Sequence, residues 1–302
     1  MLQEDWLGRI AEIKQWSQAG VRAPHKPLLI LYAIGRLVNH GTSQVTFAEA
    51  ERPLNDLLTG YGSPGTGTSP QYPFRRLEND HLWRVHLSGS DPDHFDRRVT
   101  ELRERATGRF PIKLEVRLTD TAYRTAVIQY LLDEHFPPSL HDDLLADVGL
   151  EPGTLTNEVR PLSEATKRPA RDPRFRELVL MAYERACGFC GFDGRVNAAT
   201  VGVEAAHIRW HAMAGPDEVE NGIALCTLHH RLFDQGVVGL TEDHHILISQ
   251  QFVGHGSTAE TLVLGLVGRP LRGPQPGQAP PAAKHLAWHA RQVFRGPARV
   301  AG

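Results

Sequence analysis

Two short residue pairs carry the clearest chemistry in this 302-residue chain. Cys187-Gly-Phe-Cys190 is a CxxC pair, and Cys226-Thr-Leu-His229, thirty-six residues further on, is a CxxH pair. Thiolate sulfur and imidazole nitrogen are preferred zinc ligands, and four of them close a tetrahedral structural site. The two pairs use every cysteine in the chain. An odd, small number of cysteines argues against disulfides and towards metal. The spacing predicts a structural Zn²⁺ on Cys187, Cys190, Cys226 and His229.

Between and just beyond these pairs stand Glu204-Ala-Ala-His207, then Asn221-Gly222, then His230. Thirteen residues separate His207 from Asn221 and eight separate Asn221 from His230. Alone, either histidine reads as a packed or a surface residue. Residues 201–208 are apolar enough for a strand, and 221–233 reads as a turn entering a helix. That order can set a strand histidine against a helix histidine. Phosphodiester hydrolysis uses such a pair: a base for water, and a divalent ion for the charge that builds on phosphate.

Two clusters stand out in the first half. Arg22-Ala-Pro-His25-Lys26-Pro27 opens a helix, where backbone N–H groups and a cation make a phosphate seat. Gln71-Tyr72-Pro73-Phe74-Arg75-Arg76 follows a Gly-, Ser- and Thr-rich loop. By residue type, Tyr72 and Phe74 suit core packing and the arginines a solvated face. The competing reading is a rigid apolar wall, which favours a soft, weakly hydrated atom over a charged oxygen.

Apolar periodicity predicts the elements that must position these residues. Helices are expected over 4–17, 24–38 and 46–58, the last capped by Thr46. Short strands are expected over 72–77 and 82–86, then helices over 91–106, 119–136 and 139–149. Asp172 caps an expected helix running to about 185, and a terminal helix lies near 282–294. Residues 151–171 hold Pro152, Gly153, Pro161 and Pro169 and little apolar content, which marks a linker. It is basic: Arg160, Lys167, Arg168 and Arg171, with Arg174 and Arg176 just beyond. Domains are thus expected at 1–150 and 172–302, in an α+β chain with a mainly helical first domain and a small sheet.

The apolar share of 41% and charged share of 23% fit an ordinary globular chain and exclude collagen-like and disordered classes. No run of eighteen apolar residues exists to form a membrane span. The acidic, amphipathic start MLQEDWLGRI is no signal peptide, so a cytoplasmic location is expected. With a net charge of −2, nucleic-acid binding must rest on local basic patches.

Residues 172–245 resemble the HNH endonuclease family, in the subgroup with EAAHI (here 204–208), NGIALC (221–226) and HxxFD (230–234). The resemblance implies a ββα-metal fold, His207 as general base, and His230 as ligand of a catalytic Mg²⁺ or Mn²⁺. It implies that Asn221 either ligates that ion or holds a loop that orients His207. Many such enzymes carry Asp directly before the first histidine, as a metal ligand, and Ala206 stands there. Glu204 and His207 point to opposite faces of a strand, which argues against Glu204 as a substitute. Asp234 is the other candidate.

Residues 20–140 resemble the sulfur-binding domain of phosphorothioate-dependent restriction endonucleases, through APHKPLLILYAIGRL (23–37) and SPQYPFRRLENDHLW (69–83). By that resemblance Tyr72 and Pro73 line a sulfur pocket, His25 and Lys26 contact the modified phosphate, and Arg109 is a further basic contact. The two resemblances together imply a McrA-type, Type IV restriction enzyme acting on phosphorothioate-modified double-stranded DNA. Double-strand cleavage would favour a homodimer, since each HNH domain has one site. The rivals are an HNH enzyme reading another mark, such as modified cytosine, and a non-cleaving zinc DNA-binding module.

Overall fold

The computed structural model describes residues 5–13, 17–18, 21–64, 69–89, 99–152 and 172–300. The chain divides into two compact units, Met1–Lys167 and Arg168–Gly302. Of the expected linker 151–171, all but Glu151 and Pro152 lies outside the described residues.

The first unit runs α1 (Trp6–Ala11), β1 (Ser17–Gln18), β2 (Val21–Arg22), α2 (His25–His40), β3 (Val45–Thr46) and α3 (Phe47–Tyr61). It continues through α4 (Gln71–Arg76), β4 (Arg84–Leu87), α5 (Val99–Arg105), β5 (Ala106–Arg109), α6 (Ile112–Leu118), α7 (Thr121–His135) and α8 (His141–Asp147). Helix α2 is apolar on almost every side and sits at the centre of the core, with Leu28, Leu29, Leu31 and Ile34 fully buried. Thr46 caps α3 through a reciprocal box with Glu49, as its position before the apolar run predicts. Three short antiparallel strands form a sheet in the order β3-β5-β4. Trp83 packs edge-on between Phe74 and Phe110, with ring centroids 5.6 Å from each. A Cβ at position 108 would lie 2.5 Å from the Trp83 ring, so glycine is required there.

Several expected elements are corrected. Residues 72–77, expected as a strand, form α4 and a following 3₁₀ turn, Leu77–Asp80. Pro73, Phe74 and Leu77 are buried while Tyr72 and Arg76 are exposed, a spacing of three and four rather than two. Pro73 lies in the first turn, where a missing N–H costs little. The helix expected over 4–17 ends at Ala11, and Ser17 is already strand. The helix expected over 119–136 starts a residue or two later, with Asp120 capping Tyr123 N–H. Separate helix α6 precedes it.

The second unit holds α9 (Phe175–Ala182), β6 (Arg195–Val196), β7 (Ala199–Thr200), β8 (Val203–His207), β9 (Gly222–Cys226) and α10 (Thr227–Asp234). Then come β10 (Val238–Leu240), β11 (Ile246–Ile248), α11 (Ser257–Leu262) and α12 (Ala283–Gln292). Arg174, not Asp172, takes the cap position of α9; the Asp172 carboxylate accepts the Arg174 N–H at 2.9 Å. The helix stops short of residue 185 because Glu184 and Arg185 both adopt positive φ. Strands β8 and β9 pair antiparallel from Val203 opposite Cys226 to His207 opposite Gly222. The stretch expected as a turn and helix therefore holds a strand first, and α10 leaves directly from its end. The order β8, β9, α10 is the ββα element, with α9 packed against both strands. Among the described residues no helix is long and apolar enough to cross a membrane.

Candidate functional site

The four residues of the two spaced pairs converge. Cys187 and Cys190 flank a tight turn tied to the hairpin by Gly188 N–H donating to the Ala224 carbonyl at 2.7 Å. Cys226 ends β9 and His229 lies in the first turn of α10. One ligand atom from each lies within 4.8 Å of all the others. Cys226 Sγ is 3.2 Å and Cys187 Sγ 3.5 Å from His229 Nδ1, and Cys190 Sγ is 4.0 Å from Cys226 Sγ. Ligands about 2.1–2.3 Å from a tetrahedral zinc are roughly 3.5–3.8 Å apart, so the set fits the ion. The backbone carbonyl of Leu262, 2.8 Å from His229 Nε2, accepts its N–H and leaves Nδ1 facing the sulfurs. Hydrogen bonds from Cys190 and Cys226 hold the Cys187 thiol far below its ordinary range. The same contacts push the Cys190 and Cys226 thiols up, so one sulfur of the three is held deprotonated.

His207 ends β8. Its Nε2 is 2.7 Å from Asp217 Oδ1, and its ring stacks on Phe175 of α9 with centroids 4.0 Å apart. The other Asp217 oxygen accepts the Asp172 N–H at 2.6 Å. Asn221 is fully buried, and its amide closes the loop between the strands. Oδ1 accepts the Arg209 N–H at 2.8 Å; Nδ2 donates to the Arg209 and Pro216 carbonyls at 2.9 Å each. Of the two roles expected for Asn221, these contacts fit the loop-holding one. That loop carries Asp217 to His207.

His230, the residue after His229 on α10, lies between two carboxylates. Nδ1 is 2.7 Å from Glu204 Oε2 and Nε2 is 3.2 Å from Asp234 Oδ2. Trp210 Nε1–H donates to the other Asp234 oxygen at 2.9 Å. Burial works against charge on His230, but Asp234 and Glu204 outweigh it and raise its pKa to about 9. The hydrogen bond from His230 holds the Glu204 carboxyl below the usual range. The contacts therefore form two groups on one hairpin: His207 with Asp217, and His230 with Glu204 and Asp234. Strand alternation sends Glu204 towards α10 and His207 towards α9, as the sequence predicts.

In the first unit, α2 begins at His25 and packs against α4, which carries Tyr72 and Pro73. His25 is buried with Nε2 unpartnered, and burial pushes its pKa down, favouring the neutral ring. Lys26 is ion-paired to Asp80 at 2.5 Å. Tyr72 is 41% exposed with the Arg76 guanidinium 4.6 Å above its ring, while Pro73 is buried. Arg109 is paired to Glu115 and faces a cleft of about 620 Å³ with Trp6, Arg9, His81, Arg84 and Lys113. Tyr72 and Pro73 are not among the residues lining that cleft. Asp80, Glu115, Asp217 and the pairing of Glu204 with His230 were not foreseen from sequence. Three acids, Asp217, Glu218 and Glu220, crowd the loop before Asn221, and only its folded path selects the first.

A hairpin and helix that present these histidines beside a Cys₃His cluster define a nuclease class, and residues 187–248 match the family described as HNH endonuclease. The second unit therefore carries an HNH endonuclease domain. Residues 3–153, half of its length, match the family described as ScoMcrA-like, DNA sulfur-binding domain, and the chain belongs to that family. Among solved structures it is similar to the sulfur binding domain of SprMcrA complexed with phosphorothioated DNA. Identity there is 26%, over 48% of this chain and 93% of that one, with a TM-score of 0.40. The corresponding ScoMcrA domain, also complexed with phosphorothioated DNA, is 20% identical over 51% of this chain and all of that one, at a TM-score of 0.42. The modification-dependent TagI restriction endonuclease is 25% identical over 41% of this chain and 38% of its own, at 0.32. Comparison with curated proteins finds no match.

Proposed function

We propose that this chain is a modification-dependent restriction endonuclease that binds phosphorothioate-modified double-stranded DNA through its first unit and cuts nearby with its second. The observation that carries the reading is the junction, in one chain, of a sulfur-binding domain and an HNH domain. The activity places the protein with cellular DNA, in the cytoplasm, and double-strand cleavage would favour a homodimer, since each HNH domain has one site.

Phosphorothioate keeps the charge of phosphate, so cations alone do not separate the two. Sulfur is larger, more polarisable and less strongly hydrated than oxygen. A rigid apolar wall makes oxygen shed its water without compensation, while sulfur loses less. Tyr72 and Pro73 supply that wall. Neutral His25 adds to it without a charge of its own, Lys26 faces the remaining oxygen of that phosphate, and Arg109, in a cleft that Tyr72 and Pro73 do not line, meets another backbone phosphate.

In the second unit Zn²⁺ on Cys187, Cys190, Cys226 and His229 staples the hairpin to α10. With Nε2–H given to Asp217, Nδ1 of His207 is the basic nitrogen that takes the proton of the attacking water. Asn221 holds the loop that aims Asp217. His230 would hold the catalytic Mg²⁺ or Mn²⁺, which when bound would offset the charge that builds on phosphate and on the leaving oxygen.

Titration of the full chain on paired duplexes, with and without one phosphorothioate, tests the division of labour. The reading predicts tighter binding to the modified duplex, retained in His207→Ala. Equal affinity for both duplexes would remove the sulfur specificity.

A further inference from the structure

We propose that Glu204 is a ligand of the catalytic divalent ion together with His230 Nδ1, and that Asp234 orients the His230 ring from its other nitrogen. The inference rests on the HNH reading and names the ligand that replaces the acid missing at position 206.

The opposite-face relation between Glu204 and His207 is real, but it bears on the base and not on the metal. The ligand acid in related sequences stands at position 206, and 204 and 206 share a face of β8. Ala206 cannot ligate, and it is fully buried opposite Ile223. A glutamate two residues earlier has one more methylene with which to reach the same side. In the structure it does reach: Glu204 Oε2 is 2.7 Å from His230 Nδ1, across from strand to helix. Cis ligands of an octahedral ion at about 2.1 Å are roughly 3 Å apart, so the ion needs a separation only slightly wider.

The two carboxylates at His230 differ in a way that assigns their roles. The Asp234 side chain is 1% exposed and is covered by its hydrogen bond from Trp210. No phosphate oxygen or water shell could join an ion there. The Glu204 side chain is 46% exposed, on the side that solvent and a substrate phosphate can reach. Magnesium and manganese keep several waters or phosphate oxygens in their shell, so an open side is needed. Asp234 accepting Nε2–H then sets the ring orientation and raises the donor strength of Nδ1, the usual arrangement behind a ligating histidine. Thr227 Oγ1, 3.5 Å from Glu204 Oε1, steadies the other carboxylate oxygen.

The test is Mn²⁺ binding to the zinc-loaded full chain, followed by electron paramagnetic resonance, for wild type, Glu204→Gln and His207→Ala. Glu204→Gln is isosteric and partly exposed, and unchanged zinc content and thermal midpoint verify its fold. The proposal predicts at least a tenfold weaker Mn²⁺ Kd for Glu204→Gln and a change below about twofold for His207→Ala, by the usual effect of disturbing a metal site. Wild-type affinity in Glu204→Gln, an equal loss in both variants, or no saturable binding by wild type would each overturn it. A wild type that binds Mn²⁺ through Glu204 yet cuts no DNA would leave this site standing and remove the endonuclease reading.

Discussion

The Nε2 of His207 lies 2.7 Å from Asp217 Oδ1, and Asp217 is itself fixed by the backbone N–H of Asp172 at 2.6 Å. A carboxylate at one imidazole nitrogen selects the tautomer, and so decides which nitrogen can accept a proton. The base is thereby oriented from two places distant in sequence, the interstrand loop and the chain entering α9.

Asp217→Asn should lower the cleavage rate by about 10²–10⁴ with little change in DNA binding, because an amide N–H turned to Nε2 enforces the wrong tautomer. His207→Ala should show the same split. Single-turnover cleavage and duplex titration measure the two halves. A rate near wild type for His207→Ala would show that another group activates the water.

Cys187→Ser should release the structural metal and unfold the second unit, since such a site contributes on the order of 10 kcal/mol to folding in small modules. Metal analysis and circular dichroism check it. A folded wild-type chain free of zinc would contradict it.

This centre was the most legible feature of the sequence, because CxxC and CxxH each set two ligands by local turn geometry. Helix α2 and the Thr46 box were legible for the same reason, being fixed by neighbours in sequence. Helix α4 was not: the short run from Tyr72 to Leu77, with two aromatics and a proline, reads as a strand by composition. Burial of Phe74 against Phe47, with ring centroids 5.1 Å apart, and against Trp83 selects the helix. Asp217 escaped notice because its partner is set by the loop that Asn221 closes. Strand parity in the sequence separates Glu204 from His207, and the fold sets Glu204 against His230 of α10, on the face that it shares with position 206.

Tyr72→Ala should erode the preference for phosphorothioate DNA by ~1–3 kcal/mol, the value of one good discriminating contact, and spare weak binding to unmodified DNA. Lys26→Ala should weaken both and flatten the salt dependence. Because Lys26 is paired to nearly buried Asp80, it should also cost on the order of 1–3 kcal/mol of stability. Paired titrations at two salt concentrations, with thermal melts, separate these effects. Equal losses on both duplexes for Tyr72→Ala would place the sulfur wall elsewhere.

Glu115 gives the first unit an acid-sensitive contact. Burial pushes its carboxyl up, but hydrogen bonds from Ser43 and Arg109 outweigh this and hold it below the usual range. A depressed folded value means that its stabilisation is present above the unfolded pKa, about 4.3, and is lost as pH falls through the folded one. Glu115→Gln should therefore lower stability at pH 7 and lose less of it on acidification. Denaturant melts from pH 7 to pH 3 would show this as a flatter curve; parallel curves would contradict it.

The most direct measurement is cleavage of one plasmid prepared with and without phosphorothioate, by the zinc-loaded chain in Mg²⁺ or Mn²⁺, with His207→Ala alongside. The account predicts cutting of the modified plasmid, little of the unmodified one, and none above background by the variant. Equal cutting of both plasmids, or no cutting of the modified one, would contradict it.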